Sequence, residues 1–401
     1  MSNAFSMMLA HPKADELLGP AAVMRAMLRL ERELVAAQAD LGLVARAHAQ
    51  TVAECCDMAL PSEASAQALV EQAAASGSLA IPLVNLLKAR VRERDPEALV
   101  AVHLGATSQD LIDTALCLQG RAVLALIDEA LGQVLQALLQ LKRAHGDAPL
   151  LARTLLQPAV ATVLEARLLN WALPVHRSRL ALRQRAQAAL VLQLAGPVGD
   201  GAAWGPQASA LRRAVAQRLN LPLTPGAWQA QRDEMARLAA ELGVLVGALA
   251  KVGLDVALMA QPELGELQES QAEGRGGSSA MPHKRNPVGA MVALSALHRA
   301  PHRVAAVLGA MAVTQERGLG SWQAEGAELA ELLSMAAASA TAMAQALAHA
   351  SADPARMAAL LQAHGGDAAF NAARAPAATG LQAERAALWA ELEHSLREDQ
   401  G

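Results

Sequence analysis

Reactive side chains are concentrated in the run GGSSAMPHKRNP at residues 276–287. Pro282 and Pro287 forbid a regular helix there, and the glycines let the backbone approach a ligand closely, so we predict a loop. A Ser hydroxyl is a weak base at neutral pH, and its alkoxide needs nearby cations or backbone N–H groups. Lys284 and the loop amides can supply both. A flexible basic surface loop is the alternative interpretation.

A second polar run, HLGATSQDLIDT, occupies residues 103–114. Taken alone, it is typical of a helix N-terminus with a hydroxyl cap and an acidic first turn. The free N–H groups of such an end attract carboxylates, so Thr107 and Ser108 are candidates both for capping and for contact with an anionic ligand. His103 is a candidate acid near neutral pH or a carboxylate ligand, although a lone His is more often structural.

Long helices are predicted to position these runs. Apolar residues recur at alternating steps of three and four from Met235 to Met259, through Leu238, Leu242, Leu245, Leu249, Val252 and Val256. A helix with this seam would be about 36 Å long and would pack in a bundle of long helices. The seam is compatible with contacts inside the chain or between copies. Residues 127–141 repeat the rhythm, and residues 163–194 form a third Leu- and Ala-rich stretch.

Strand signals are weak, because Ala and Leu dominate, Tyr is absent and only 2 Phe occur. We therefore predict an all-α fold: a long-helix bundle over residues 105–340, a smaller helical N-terminal domain over 1–104 and a short helical C-terminal domain over 341–401.

Composition narrows the function classes. The chain has 401 residues, of which 53% are hydrophobic, and a net charge of −4, which gives no global basic field for nucleic acid. Its 3 cysteines cannot all pair, and no metal-ligand spacing occurs, so we expect no metal and no cofactor. The N-terminus lacks the pattern of a secretory signal, and the apolar stretch at 242–260 carries Lys251 and Asp255. We expect a cytoplasmic protein without a membrane span.

Both polar runs resemble signatures of the fumarase/aspartase superfamily. The loop resembles G-S-S-x-M-P-x-K-x-N through Gly277, Ser278, Ser279, Met281, Pro282, Lys284 and Asn286, and residues 103–114 resemble H-x-G-x-T-S-x-D-x-x-D-T. The resemblance implies that Ser278 is the catalytic base and that Lys284 and Asn286 hold a substrate carboxylate, with the choice between Ser278 and Ser279 left open. It also implies a homotetramer in which three blocks from three subunits form each site.

The third block, ARTLLQPA at residues 152–159, resembles R-T-H-x-Q-x-A and yields Arg153, Thr154 and Gln157 as substrate-binding candidates. Leu155 stands where fumarases, aspartases and argininosuccinate lyases have a His. Because a Leu cannot protonate a leaving group, a lyase that needs an acid there is disfavoured. The stretch after Gln157 and the region beyond about residue 340 depart further from the superfamily pattern.

The 3-carboxy-cis,cis-muconate cycloisomerases tolerate this loss, and the chain is also similar to them at 192–199, 228–234, 261–267 and 315–322. The resemblance implies closure of a tricarboxylate to its lactone in protocatechuate degradation. Arg232, Arg317, Arg153 and His103 become candidates for holding that small polycarboxylate. The alternatives are a fumarate-releasing lyase of the adenylosuccinate type and an inactive helical scaffold.

Overall fold

The structure is a computed structural model that describes residues 9–59, 62–270, 275–365 and 381–399. The smaller helices that open the chain are α1 (Pro12–Leu18), α2 (Pro20–Asp40), α3 (Arg46–Met58), α4 (Glu63–Ser76) and α5 (Ala80–Arg94). The long helices are α6 (Ser108–His145), α7 (Leu164–Ala189), α9 (Asp233–Met259), α10 (Val288–Ala310) and α11 (Ser321–Leu347). The remaining helices are α8 (Ala208–Leu219), α12 (Pro354–His364) and α13 (Gln382–Glu398), with 3-10 turns at Pro96–Ala101 and Ala202–Gln207.

The long helices form one bundle around the predicted seam. Along α9, the residues from Met235 to Met259 that make up the seam are at most 2% exposed, and they share one apolar cluster with α6, α7, α10 and α11. The seam is therefore intrachain core. Together with the high helix content, this confirms the predicted all-α bundle.

A second apolar cluster joins the N-terminal helices. It contains residues of α2 to α5, the start of α6, and also Leu192, Leu194 and α8. Trp389 and Leu392 of α13 belong instead to the bundle cluster. The predicted division at residues 104 and 340 stays a prediction, while the apolar packing links residues 192–221 to the first part and the last helix to the bundle.

Within the described ranges, two small sheets interrupt the helices. Strands β1 (Pro149–Thr154) and β2 (Gln157–Val163) form an antiparallel hairpin, and β3 (Leu267–Gln268) pairs with β4 (Ser351–Ala352). The hairpin turn is Leu155-Leu156, with φ of 53° and 63°. Two-residue turns with positive φ normally contain Asn or Gly, so this sequence carries no signal for the hairpin.

Two helices, Ser108–His145 and Asp233–Met259, are long and apolar enough to cross a membrane by length and composition alone. In the bundle, 56% and 50% of their most apolar windows are buried against other parts of the protein. Their apolar character is thus explained by the core, as predicted for residues 242–260.

Gly105 packs against Trp204, a member of the second apolar cluster. Its φ is 79°, and a Cβ built on it would lie 2.5 Å from the indole Nε1 of Trp204. That nitrogen donates a hydrogen bond to the carbonyl of Leu104 at 3.1 Å. The close approach of the Trp204 ring to the backbone therefore requires glycine at this position.

We predict that Gly105→Ala destabilises the protein by about 2–4 kcal/mol, which combines a φ penalty with a steric clash. Gly226→Ala is the matched control, because Gly226 has φ of 69° but open space around its Cβ position. It should lose only about 1 kcal/mol. Urea unfolding of both variants measures the difference, and equal losses would contradict the packing role of Gly105.

Candidate active site

The loop at 275–287 is closed at its neck by its own backbone. The N–H of Asn286 donates to the carbonyl of Gly276 at 2.8 Å, and the Asn286 side chain donates to the carbonyl of Gly277 at 3.3 Å. Gly276 has φ of 69°, and a Cβ there would lie 2.6 Å from the carbonyl oxygen of Asn286. The glycine thus permits the crossing that gives the loop its shape. The predicted absence of a helix between the two prolines agrees with this structure.

Ser278 sits inside the turn that this loop makes. Its Oγ accepts hydrogen bonds from the backbone N–H groups of Met281 at 3.1 Å and Ala280 at 3.4 Å. Two donors aimed at one oxygen stabilise negative charge on it, which is what a Ser base requires. Within the described part of the chain, the exposed Ser279 hydroxyl has no such donors. Of the two hydroxyls, that of Ser278 is therefore the better placed to carry negative charge.

Two cationic side chains line a cavity at the C-terminal end of the loop. Lys284, Arg285 and Asn286 line a cavity of about 330 Å³ together with Gln261 and Glu269. The Glu269 carboxylate accepts hydrogen bonds from the N–H groups of Gly289 and Ala290, both at 3.1 Å, and so caps the start of α10. Glu269 was not predictable from local sequence, because its capping partners lie 20 and 21 residues away.

The first signature block forms the predicted helix N-terminus. Thr107 precedes α6, and its N–H donates to the Asp110 carboxylate at 3.0 Å. Asp110 also accepts from the N–H groups of Ala195 at 3.0 Å and Gly196 at 2.9 Å. Burial raises the pKa of Asp110 even though these donors oppose the shift. Asp110 therefore fastens the loop at 195–196 to the start of α6.

Arg317 joins this end of the bundle. Its guanidinium donates to the Thr107 Oγ1 at 2.7 Å and to the carbonyl of Pro197 at 3.2 Å. No carboxylate pairs with it among the residues that the structure describes, and its buried Nε has no partner. Arg317 thus contacts the predicted residue Thr107, which is followed in the chain by Ser108, and its charge has no carboxylate partner among the described residues.

Arg232 requires a correction. It is 2% exposed and donates to Asp113 at 2.7 and 3.2 Å, and its Nε lies 3.0 Å from both carboxylate oxygens of Glu325. The predicted role in substrate binding does not fit this environment, because both edges of the guanidinium are committed to carboxylates. Burial raises the pKa of Glu325 despite the neighbouring arginine. Arg232 is a structural ion-pair partner.

The third block lies on the hairpin. Arg153 on β1 forms a two-pronged ion pair with the buried Glu266, at 2.9 and 3.1 Å. Its guanidinium is therefore already committed to a buried carboxylate. Thr154 and Gln157 face each other across the turn, and both are exposed. At the tip, Leu155 is 97% exposed and Leu156 is 71% exposed.

The described chain divides these groups between the two ends of the bundle. Arg317 precedes the start of α11, whereas Arg275 of the loop binds the carbonyl of Ala342 near its end. With a rise of about 1.5 Å per residue, these points are about 30 Å apart. The hairpin lies at the loop end, because Glu266 follows α9 and receives Arg153. A single chain thus does not bring Ser278 to His103 and Arg317.

The chain is similar to known lyases. The model of a lyase family matches residues 18–301. A 3-carboxy-cis,cis-muconate cycloisomerase of Bradyrhizobium diazoefficiens is 36% identical over 370 residues, covering 91% of this chain and 81% of that protein. The equally named protein of Pseudomonas aeruginosa is 44% identical over 272 residues, covering 67% of this chain and 59% of that one.

A solved structure agrees along nearly the whole chain. The crystal structure of 3-carboxy-cis,cis-muconate lactonizing enzyme from Pseudomonas putida superposes with a TM-score of 0.84 at 34% sequence identity. The match covers 99% of this chain and 88% of that chain.

We predict that Arg232→Met destabilises the protein by about 3–5 kcal/mol at pH 8, since it leaves two buried carboxylates without a cation. The loss should shrink towards pH 5. Burial raises the pKa of Glu325 and Arg232 opposes this, so without the arginine Glu325 takes up a proton more readily in the folded state, and lowering the pH reduces the loss. Urea unfolding at both pH values measures this effect.

Arg237→Met is the matched control, because Arg237 lies on the same helix but is paired only with the exposed Asp233 and with Glu234. It should leave the unfolding midpoint nearly unchanged. Equal effects of the two substitutions would contradict the structural role assigned to Arg232.

Proposed function

Since the chain belongs to the fumarase/aspartase superfamily of lyases, we propose that it closes 3-carboxy-cis,cis-muconate to 4-carboxymuconolactone, a step of protocatechuate degradation. The observation that carries this proposal is the environment of Ser278. Its Oγ faces two backbone N–H groups on a loop that also presents Lys284 and Asn286.

The reaction needs one proton transfer at carbon. A carboxylate oxygen of the substrate adds to one carbon of a conjugated double bond and forms the C–O bond of the lactone. The π electrons move towards the carboxylate beside the neighbouring carbon, which gives an enediolate. Ser278 donates its hydroxyl proton to that carbon, and solvent then restores the proton to the Ser278 alkoxide. Met281 and Ala280 stabilise this alkoxide through their N–H groups.

Loss of the His at position 155 fits this reaction. Addition of ammonia, an amine or water to fumarate, or its reversal, involves a separate nucleophile or leaving group that must exchange a proton. In lactone formation the nucleophile belongs to the substrate, so ring closure is intramolecular. Leu155 can therefore stand where a proton donor would otherwise be required.

Cations at both ends of the bundle balance the charge of the tricarboxylate. Lys284 and Asn286 hold one carboxylate at the loop. A second carboxylate is held at the start of α6, by Arg317, Thr107, Ser108 and His103. The uncompensated charge of Arg317 supports this role, since an arginine without a carboxylate partner attracts an anion. Arg153 is proposed at the periphery of the site, because it is already paired with Glu266. The same peripheral position is proposed for Thr154, Gln157 and Ser279.

We propose that the site is completed by further copies of the chain in a homotetramer. The separation of about 30 Å between the loop and Arg317 exceeds the span of a muconate. The Leu155-Leu156 tip is almost fully exposed, and the bundle helices present Val244, Leu254 and Met291 at 58%, 46% and 52% exposure. Exposed apolar surface of this kind favours association between copies.

We predict that Ser278→Ala lowers the rate of lactone formation by about 10²–10⁴-fold, because the proton donor to carbon is lost. The decay of the diene's ultraviolet absorbance measures the rate. Ser279→Ala is the matched control and should retain most of the activity. An active Ser278→Ala enzyme, or release of fumarate from adenylosuccinate by the wild-type protein, would refute the assignment.

We predict that activity returns when inactive Ser278→Ala chains and inactive Arg317→Met chains are unfolded, mixed and reassembled. If each site takes its loop and its Arg317 from different copies, random mixing leaves about a quarter of the sites with both native groups. The expected recovery is therefore about a quarter of wild-type activity.

The matched control mixes Ser278→Ala with Lys284→Met, two variants of the same loop. Every site then contains one damaged loop, and no activity should return. Mixed oligomers of the first pair that stay inactive, or an active wild-type monomer in light scattering, would contradict the shared site.

A further inference from the structure

A buried acidic residue outside all three signature blocks contacts His103. Glu31 lies on α2 and is 2% exposed, and its Oε1 forms a hydrogen bond with the Nδ1 of His103. The two residues are 72 positions apart in the chain. Burying a carboxylate is costly unless it is paired, and His103 is the partner that the described structure provides for Glu31.

The backbone around His103 is held in an unusual conformation. His103 has φ of 58°, which is uncommon for a non-glycine residue and persists only when its surroundings hold it in place. The adjacent carbonyl of Leu104 accepts hydrogen bonds from Gln38 at 2.8 Å and from Trp204 at 3.1 Å. Gln38 lies seven residues after Glu31, so the same face of α2 holds both the ring and the backbone of this segment.

The contact decides which nitrogen of His103 is free. An ionised carboxylate only accepts hydrogen bonds, so Nδ1 must carry the proton. Nε2 has no hydrogen bond within the described residues and is the nitrogen left for a ligand. The His103 side chain is 18% exposed, whereas Glu31 is inaccessible to a ligand.

Charges around the ring determine its protonation. Burial alone would lower the pKa of His103, but the hydrogen bond and charge of Glu31, with a smaller contribution from Asp110, outweigh burial and Lys88 and raise the pKa. Because the pKa is raised, the imidazolium persists to higher pH than an ordinary histidine before it loses its proton.

We propose that Glu31 is a positioning residue for the reaction, one that accepts the Nδ1–H of His103, orients its ring and keeps it as the imidazolium, whose Nε2–H donates to a substrate carboxylate. This inference rests on the proposed function, since it assigns His103 to the substrate. Glu31 itself acts only through the ring.

The test is Glu31→Gln, which keeps a hydrogen-bond acceptor of nearly the same shape but removes the charge. We expect kcat/KM for lactone formation to fall about tenfold or more at pH 8, by analogy with the loss of other partners that orient a functional His. The basic limb of the pH profile should move to lower pH, since the imidazolium is no longer stabilised.

Glu33→Gln is the matched control on the same helix, where Glu33 pairs with the surface residues Arg32 and Arg218. It should leave rate and profile unchanged.

A double-mutant cycle separates positioning from structure. In a His103→Gln background, Glu31→Gln should cause no further loss of kcat/KM, because its effect passes through the ring. Additive losses, or a lower rate with an unmoved basic limb, would overturn the proposal. If Glu31→Gln does not fold, Glu31→Asp keeps the charge and should keep the wild-type position of the limb; a limb shifted to lower pH would count against it.

Binding of the unreactive propane-1,2,3-tricarboxylate, followed by calorimetry from pH 6 to pH 9, tests Glu31 without catalysis. Affinity should fall as His103 deprotonates, and Glu31→Gln should move that fall to lower pH. If the wild-type protein binds this probe in the expected way but does not lactonise muconate, the proposed function fails while the role of Glu31 stands. If the wild-type protein lactonises muconate but Glu31→Gln leaves both pH profiles unmoved, the role of Glu31 fails alone.

Discussion

The buried contact of Arg232 with Asp113 and Glu325 is the interaction on which one end of the molecule depends. Asp113 belongs to α6, Arg232 immediately precedes α9, and Glu325 belongs to α11, so one guanidinium joins three long helices. Trp322 adds a hydrogen bond from its indole to Asp113 at 2.9 Å. Each carboxylate would be costly to bury without the arginine, so the three groups must come together as a unit. This fixes the start of α11 and, with it, the segment that carries Arg317.

Rigid helices impose the second constraint. Because α11 runs from the Arg317 segment to the residues that hold the loop at 275–287, its length keeps these two sets of candidate site residues apart within one chain. No local rearrangement of a loop can close a gap of about 30 Å while the bundle stays packed. In the homotetramer proposed above, the loop end of one copy would lie beside the Arg317 end of another without any helix bending.

The parts that sequence predicted were those specified by local pattern. The seam from Met235 to Met259 defined α9, and two prolines with neighbouring glycines defined the loop around Ser278. The environment of Arg232 was not predictable, because its carboxylate partners lie 119 and 93 residues away. The hairpin was missed because Leu155 and Leu156 are poor turn residues. Glu31 did leave a signal: it interrupts the apolar face of α2 at a position where Met27, Leu34 and other neighbours are buried.

The hairpin turn at Leu155-Leu156 shows how a Leu in place of the His of related lyases is compatible with folding. Positive φ costs roughly 1–2 kcal/mol for a residue other than glycine, and two consecutive leucines incur that cost while exposed on a single chain. In the proposed assembly the tip would enter a neighbouring copy, where covering each leucine side chain would stabilise by about 1.5–3 kcal/mol and offset its strain. In the proposed shared site, Leu155 would then exclude water from the place where a proton-donating His stands in related lyases. An enediolate formed there would meet the proton of Ser278 instead of bulk solvent, which is what an addition with an internal nucleophile requires.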